Sequence, residues 1–242
     1  MISLDKVIVI IPTYNEIANI EKMLETLHRL HPTLNVLIID DGSPDGTAQV
    51  VKTFQQKKSN LHILERKGKL GLGTAYIKGF RWAIEQNFEA VITMDCDFSH
   101  EPEAIPSFAQ KLTNHDLVVG SRYIGGIRIM NWPMHRLLLS FFASVYARII
   151  TGIPFLDSTG GFNGYTRKAL TKINLDKVFS IGYAFQIELK YRVWSLGLPS
   201  TEMPITFFER NEGKSKMSRK IILEAVVNVF RMRFKKMMGT LQ

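Results

Sequence analysis

The chain contains 242 residues, of which 45% are hydrophobic and 22% are charged, so it is long enough to bury the core of a globular domain. This composition excludes intrinsic disorder, collagen-like repeats and a coiled coil as descriptions of the whole chain. A single cysteine, Cys96, excludes an internal disulfide and a cysteine-rich zinc module, and it favours a reducing compartment.

The positive charge is concentrated near the C-terminus. The whole chain carries 31 Lys and Arg against 22 Asp and Glu, which gives a net charge of +9. Residues 210–242 contain nine basic and two acidic residues, whereas residues 1–209 are nearly balanced, with 22 basic and 20 acidic. This excess indicates an anionic partner, which is nucleic acid, an acidic membrane surface or a phosphorylated substrate.

In the first 120 residues, segments with strand-like and helix-like patterns alternate. Residues 7–11 form a continuous apolar run, which is typical of a parallel strand buried on both faces. The spacing of apolar residues over 17–30 predicts a helix. The other predicted strands are 36–39, 61–64, 90–94 and 117–120, and the other predicted helices are 47–54 and 73–85. This alternation predicts an α/β fold, with a mainly parallel central sheet and helices on both faces.

The regular alternation is lost after Tyr123, where glycines surround one apolar helix. The uncharged stretch 137–147 is too short to span a membrane, because a spanning helix needs about 20 apolar residues. We interpret this stretch as a buried core helix, with a helix lying in a membrane surface as the alternative. Residues 187–196 are predicted to form a helix and residues 201–208 a strand. The apolar run at 7–11 is too short for a signal peptide.

Three predicted strands end in polar loops. The first is followed by Pro12-Thr13-Tyr14-Asn15-Glu16, the second by Asp40-Asp41, and the fourth by Asp95-Cys96-Asp97. Ligands of open α/β sheets bind outside the carboxyl ends of the strands. Paired carboxylates there are costly unless a cation or basic groups neutralise them, and a divalent cation that also binds substrate phosphates meets that need. The second loop also fits a helix cap, formed by Asp45 or Ser43.

These loops closely resemble the motifs of the inverting family 2 glycosyltransferases and, within that family, of the polyprenol-phosphate (dolichol-phosphate) mannosyltransferases. The resemblance continues through Gly120-Ser121-Arg122-Tyr123, through 131–140 with Arg136, and through 157–164. It ends at Phe208-Glu209-Arg210 and Gly213-Lys214-Ser215-Lys216, so it covers nearly all of residues 6–220.

The resemblance implies a GT-A fold, which is a Rossmann-like domain that binds nucleotide-diphospho-sugars, over residues 1–218. It also implies inverting transfer of mannose from GDP-mannose to a polyprenyl phosphate, with Mg²⁺ or Mn²⁺ as cofactor. The products are polyprenyl-phosphate mannose and GDP. A glucosyl- or N-acetylglucosaminyltransferase that uses a UDP-sugar and the same lipid phosphate stays open as the alternative, because the base pocket cannot be read from one sequence.

Carried over residue by residue, the resemblance assigns four overlapping groups. The nucleotide-sugar positions are Pro12, Tyr14, Glu16, Ile39, Asp41, Asp95, Cys96, Arg122, Arg210 and Lys216. The metal ligands are Asp95, Asp97 and Ser99. The acceptor-phosphate positions are Arg122, Arg136 and Arg210. The catalytic positions are Asp97, Arg122 and Arg136. Two residues depart from the common pattern: Cys96 stands where the family more often has Ala, and Ser99 stands where some members have Gln.

The chemistry of this acceptor explains why no histidine–acid pair stands out in the sequence. A phosphate monoester has a second pKa of about 6, so it is largely dianionic at pH 7 and needs no strong general base. His100 lies beside the acidic loop, and we interpret it as a structural residue.

The C-terminal segment, residues 219–242, is predicted to be a basic amphipathic helix. Its apolar stripe consists of Ile222, Ala225, Val226, Val229 and Phe230, and its basic face of Arg219, Lys220, Arg231 and Lys235. Such a helix predicts peripheral contact with a membrane, on the cytoplasmic face where GDP-mannose is available. The alternative is a helix docked on the protein.

No transmembrane span and no obligatory protein partner are predicted. Nucleic-acid binding is disfavoured, because interleaved aromatic residues and known motifs are lacking.

Overall fold

The structure is a computed structural model that describes residues 1–182, 184–209 and 219–241. Its strands are β1 (Val7–Thr13), β2 (Asn35–Asp40), β3 (Leu61–Glu65), β4 (Ala90–Thr93), β5 (Leu117–Ser121), β6 (Ile129–Met130), β7 (Asn163–Thr166), β8 (Ser200–Pro204) and β9 (Phe207–Phe208). Its α-helices are α1 (Ile17–Leu30), α2 (Thr47–Gln55), α3 (Leu72–Glu85), α4 (Ile105–Lys111), α5 (Met134–Thr151), α6 (Arg167–Lys172), α7 (Ala184–Ser195) and α8 (Arg219–Met237).

Seven strands form the central sheet in the order β3-β2-β1-β4-β7-β5-β8, and β6 pairs with β9 separately. Strand β7 runs antiparallel to both of its neighbours, β4 and β5. The other pairs of neighbouring strands in this sheet are parallel. The mainly parallel sheet expected from the sequence is therefore confirmed, and the carboxyl ends of β1, β2 and β4 lie side by side.

Alternate residues of β1 face the two halves of the core. Ile8 and Ile10 belong to the cluster that contains residues of α3 and α7, whereas Val7, Val9 and Ile11 belong to the cluster that contains residues of α1 and α4. All five are completely buried. Helices therefore cover both faces of the sheet, as the unbroken apolar run predicts.

Residues 201–208 do not form one strand as predicted. The chain leaves the central sheet after Pro204, which pairs with Ser121 at the end of β5. Proline has no N–H to donate and is suited to the end of a strand. Strand β9 then pairs with β6 in the second sheet. This crossing brings the segment that contains Phe207 next to the loop after β4, where the backbone N–H of Phe208 donates to Ser99 O at 3.2 Å.

The interpretation of α5 as a buried core helix is wrong. Its buried residues are the small ones, Ser144, Ala147 and Thr151. Large apolar residues point outward, and Phe142 and Ile149 are 60% and 75% exposed. Small side chains on the inner face let the helix approach the protein closely. The larger side chains are left on its outer face.

Helix α8 docks on the protein and also presents an apolar face to the outside. Val229 and Met232 are buried in the core cluster. A second stripe repeats at intervals of four and three residues, and its members are more than half exposed: Leu223, Val227, Phe230, Phe234 and Met237. Phe230 therefore does not share the buried stripe with Val229. None of the helices in the described part of the chain has the length and apolarity needed to cross a membrane.

Candidate active site

Hydrogen bonds join the loops that follow β1 and β2. The N–H of Asp41 donates to Thr13 O at 3.0 Å, and the N–H of Glu16 donates to Thr47 Oγ1 at 3.0 Å. Asp45 accepts from the N–H groups of Ile17 and Thr47, so it ties the start of α1 to the start of α2. The segments that contain Pro12, Tyr14, Glu16 and Asp41 are thereby held at one edge of the sheet.

The acidic pair at the end of β2 is compensated within the protein. Asp40 accepts from Thr13 Oγ1 at 2.9 Å and from the N–H of Ser43 at 2.8 Å. Arg66 Nε and Nη2 donate to Asp41 Oδ1 and Oδ2, at 2.6 and 2.7 Å. Sequence reasoning missed Arg66, although its position directly after β3, at the same sheet edge, was an available signal. A basic group therefore balances Asp41, one of the two solutions expected for this loop.

Ile39 lies in the core. Its side chain is completely buried beneath α3, where a Cβ on Gly79 would come within 2.6 Å of Ile39 Cδ1. The structure therefore does not bring this predicted nucleotide-sugar residue to the site through its side chain.

The loop after β4 folds tightly around its own polar groups. Asp97 Oδ1 accepts from the N–H of Ser99 at 3.1 Å, and Phe98 between them has a left-handed φ of 57°. Cys96 is buried among apolar side chains, at 3% exposure. Asp95 lines a cavity at the edge of the sheet. The three predicted metal ligands, Asp95, Asp97 and Ser99, are thus carried by one short loop.

His100 positions this loop. The N–H of Asp95 donates to His100 Nδ1 at 3.2 Å, which assigns the ring proton to Nε2. The imidazole stacks on Phe162, with ring centroids 4.9 Å apart. Burial lowers the pKa of His100 to about 4, so the ring is neutral at pH 7. These contacts support the interpretation of His100 as a structural residue.

A buried ion pair links Arg122, after β5, to the loop before β7. Arg122 Nε and Nη2 donate to Asp157 Oδ2 and Oδ1 at 2.6 and 2.7 Å. Burial opposes ionisation of Asp157, but Arg122 outweighs it and holds the pKa of that carboxyl at about 2. Arg122 and Asp95 both line the cavity, and the positive charge of Arg122 is matched by Asp157.

Lys190 on α7 donates hydrogen bonds to the same loop. It is completely buried, and its Nζ donates to Ser158 O at 3.0 Å and to Gly160 O at 2.7 Å. Burial lowers the pKa of Lys190 to about 7, against the opposing effect of Asp157. Sequence reasoning missed this residue, because its partners lie about 30 positions away and leave no local pattern.

Arg136, in the first turn of α5, pairs with Glu209 and stacks on Trp132, 4.0 Å from the ring centroid. Within the described part of the chain, Arg136 Nε, Glu209 Oε2 and Trp132 Nε1 are buried without a hydrogen-bond partner. Buried polar atoms of this kind normally find partners, so their grouping indicates that a polar ligand belongs here. The two other predicted basic residues, Arg210 and Lys216, lie outside the described residues.

These elements enclose a cavity of about 370 Å³. Its polar lining includes Asp95, His100, Arg122, Arg136, Thr159 and Gln186. Its apolar lining includes residues of α5 and α8: Leu139, Phe142, Ala143, Ala225, Val226 and Val229. The cavity therefore suits a ligand that has both a charged part and a hydrophobic part.

Comparison with known proteins identifies the family. The model of the family described as "Glycosyl transferase family 2" matches residues 8–173. The chain belongs to glycosyl transferase family 2. Two relatives are similar in sequence to this chain over most of their length. The undecaprenyl-phosphate mannosyltransferase of Micrococcus luteus is 43% identical over 93% of this chain and 93% of its own. The polyprenol monophosphomannose synthase of Mycolicibacterium smegmatis is 40% identical over 93% and 85%.

Solved structures confirm that this family 2 glycosyltransferase has the GT-A fold. Glucosyl-3-phosphoglycerate synthase from Mycobacterium tuberculosis, in complex with Mn²⁺, UDP and phosphoglyceric acid, aligns with a TM-score of 0.64 and 18% identity, over 97% of this chain and 78% of its own. A mannosyltransferase from Pyrobaculum calidifontis, in complex with GDP-Man and Mn²⁺, aligns with a TM-score of 0.59 and 17% identity, over 98% and 62%. At these identities the likeness concerns the fold.

The loop after β4 carries oxygen atoms of the kind that a divalent cation takes as ligands. Among the residues that the structure describes, no group of three or more His, Cys, Asp and Glu side chains is arranged to hold a metal alone. Asp95, Asp97 and Ser99 provide hard oxygen atoms on one loop. Mg²⁺ and similar cations keep several waters and take further ligands from substrate phosphates, so a partial set of this kind fits them.

The first prediction concerns the stability of the glycosyltransferase. Asp157→Asn leaves Arg122 buried without a counter-charge, which costs roughly 3–5 kcal/mol in other buried pairs. We expect the free energy of unfolding in urea to fall by this order. Asp176→Asn, on the surface, is the control and changes it by less than about 1 kcal/mol. Equal stability of Asp157→Asn and the wild type would contradict the importance of the pair.

The second prediction concerns acid. The pKa of Asp157 is lower in the folded state, about 2, than its ordinary value of 3.8. The unfolded chain therefore binds the proton first, so the stabilisation is complete above pH 4 and is lost as the pH falls from 4 towards 2. Urea midpoints measured between pH 5 and 2.5 should decline more steeply in the wild type than in Asp157→Asn. Parallel declines would show that Asp157 titrates normally.

Proposed function

We propose that the protein is an inverting glycosyltransferase that transfers mannose from GDP-mannose to a polyprenyl phosphate. An oxygen of the lipid phosphate forms a bond to C1 of mannose, while the bond from C1 to the diphosphate breaks and its electron pair leaves with GDP. The observation that carries this proposal is one cavity that is lined both by Asp95, Arg122 and Arg136 and by apolar residues of α5 and α8. The names of both relatives support the same acceptor class and sugar.

The donor's diphosphate belongs at the acidic loop after β4, beside a divalent cation held by Asp95, Asp97 and Ser99. The cation, Mg²⁺ or Mn²⁺, would supply Lewis-acid stabilisation of the charge that develops on the leaving diphosphate. The Mn²⁺ complexes of the two structural neighbours support a divalent ion at such a site. The nucleoside would then lie over the joined loops after β1 and β2, near Pro12, Tyr14, Glu16 and Asp41.

The acceptor phosphate belongs between Arg122 and Arg136. Arg136 Nε has no hydrogen-bond partner among the described residues, so a phosphate oxygen would satisfy it. Arginine suits phosphate because its planar fork binds two oxygen atoms at once. Arg122, whose charge Asp157 already matches, would act mainly as an oriented donor. Arg210 and Lys216, from the basic loop, complete the proposed set.

The geometry of His100 supports a reaction without a general base. Its Nδ1 already accepts the N–H of Asp95, and its Nε2 carries the ring proton. The dianionic acceptor phosphate is itself a sufficient nucleophile at pH 7.

The exposed faces of α5 and α8 support contact with a membrane. Phe142 on α5 and Phe230 on α8 are more than half exposed, and Tyr146 Oη bonds Val226 O at 3.1 Å, which joins the two helices. Exposed apolar surface of this extent marks an interaction site, and basic residues on α8 would favour anionic lipids. We place the protein peripherally on the cytoplasmic face of a membrane, where GDP-mannose is supplied, and we propose no nucleic-acid partner.

The third prediction is activity towards lipid phosphates. The purified protein should transfer radiolabelled mannose from GDP-mannose to C55 polyprenyl phosphate and to dolichyl phosphate, and EDTA should abolish the transfer. Asp97→Asn should lower the rate roughly 100-fold or more, because it removes charge stabilisation at the leaving group. Asp176→Asn serves as the control. Transfer from UDP-glucose or UDP-N-acetylglucosamine, with none from GDP-mannose, would contradict GDP-mannose as the donor and favour a UDP-sugar.

The fourth prediction concerns the membrane. Replacing Phe230 and Phe234 by serine removes two exposed aromatic side chains from α8, and we expect vesicles with anionic lipids to bind the protein at least about tenfold more weakly. Leu70→Ser, an exposed apolar residue outside α5 and α8, is the matched control. Activity towards a short-chain acceptor in solution should persist. Unchanged flotation with vesicles would rule out α8 as the contact.

A further inference from the structure

Three polar side chains converge on the space beside Gly161, within the cavity. A Cβ placed on Gly161 would lie 3.7 Å from Gln186 Nε2, 3.8 Å from His100 Cε1 and 4.0 Å from Asp95 Oδ1. All four residues line the cavity. This small compartment adjoins the loop to which the diphosphate is assigned.

The fold itself does not require glycine at position 161. Its φ lies outside the left-handed range, and every contact of an added Cβ would be an ordinary one. Gly160 beside it differs, because a Cβ there would come within 3.1 Å of Asp157 Oδ2. A methyl group at position 161 would therefore be accommodated by the protein while occupying the space beside Asp95. The absence of a side chain there leaves room for a ligand.

Gln186 supplies a donor to this space. The residue is 3% exposed, and its Oε1 accepts from Asn163 Nδ2 at 3.1 Å. That bond orients the amide and turns Nε2 towards Gly161. Within the described residues, Nε2 forms no hydrogen bond, and Gln186 lines the cavity. A ligand in the compartment would provide an acceptor.

We propose that Gln186 and Gly161 form the subsite for the hexose that is transferred, with Gln186 Nε2 donating a hydrogen bond to a sugar hydroxyl. This inference rests on the proposed function. A hydroxyl group both donates and accepts, so it matches a neutral amide donor placed beside the carboxylate of Asp95.

The test compares a nucleotide with its sugar conjugate. Dissociation constants for GDP and GDP-mannose are measured with Mg²⁺ or Mn²⁺ for the wild type, Gln186→Met, Gly161→Ala and the control Gln110→Met, which alters an exposed glutamine on α4. Gln186→Met should weaken GDP-mannose roughly five- to tenfold, the value of one neutral hydrogen bond, and leave GDP unchanged. Gly161→Ala should weaken GDP-mannose at least as much, and Gln110→Met should change neither.

The outcomes separate the subsite from the function on which it rests. A wild type that binds no nucleotide sugar contradicts the proposed function. A wild type that binds GDP-mannose, together with variants that lose the same factor for GDP and for GDP-mannose, overturns the subsite and leaves Gln186 with a structural role. Unchanged binding of GDP-mannose by both variants overturns it as well.

Discussion

The buried ion pair between Arg122 and Asp157 is the interaction on which the geometry of the site depends. Asp157 also accepts from the N–H of Gly160 at 2.9 Å, and Lys190 Nζ donates to the carbonyl oxygens of Ser158 and Gly160. The carboxylate of Asp157 and the amino group of Lys190 thus order the loop before β7. A loop of backbone carbonyls and glycines would otherwise be a poor wall for a binding site, because nothing in its own sequence favours a single conformation.

Compensation of buried charge also decides which residues can attract an anion. Arg66 is matched by Asp41, Arg122 by Asp157, and Arg192 on α7 by Glu188. Such pairs fix the positions of the side chains, and breaking one of them costs free energy. They add little net charge to the site. Under the proposed function, attraction of a doubly charged acceptor therefore needs positive charge beyond these pairs. The net charge of +7 carried by residues 210–242 is a source of it.

Helices and strands are predicted best from the sequence where neighbouring residues form a clear pattern. The apolar run of β1 and the helical spacing of α1 are strong patterns, and α1 has the predicted bounds, Ile17–Leu30. The polar loops after β1, β2 and β4 could be placed together because parallel strands end at one edge. Strand β7 could not be predicted, since Asn163-Gly164-Tyr165-Thr166 has no apolar alternation. Lys190 and Gln186 escaped for a different reason: their partners are distant in sequence, and a charged or polar residue on a helix is normally exposed.

A transferase that takes a polar donor from water and an apolar acceptor from a bilayer must open towards both. Under the proposed function, the arrangement of α5 and α8 meets this requirement. Leu139 and Phe142 line the cavity and are also 41% and 60% exposed, so they belong both to the cavity and to the outer face of α5. A polyprenyl chain can then extend from the bilayer between the two helices without crossing water, which would cost about 0.8 kcal/mol for each exposed CH₂. Its phosphate meanwhile reaches Arg136 and the loop of Asp95. The outward-facing phenylalanines, which look anomalous on a water-exposed helix, are what this path requires.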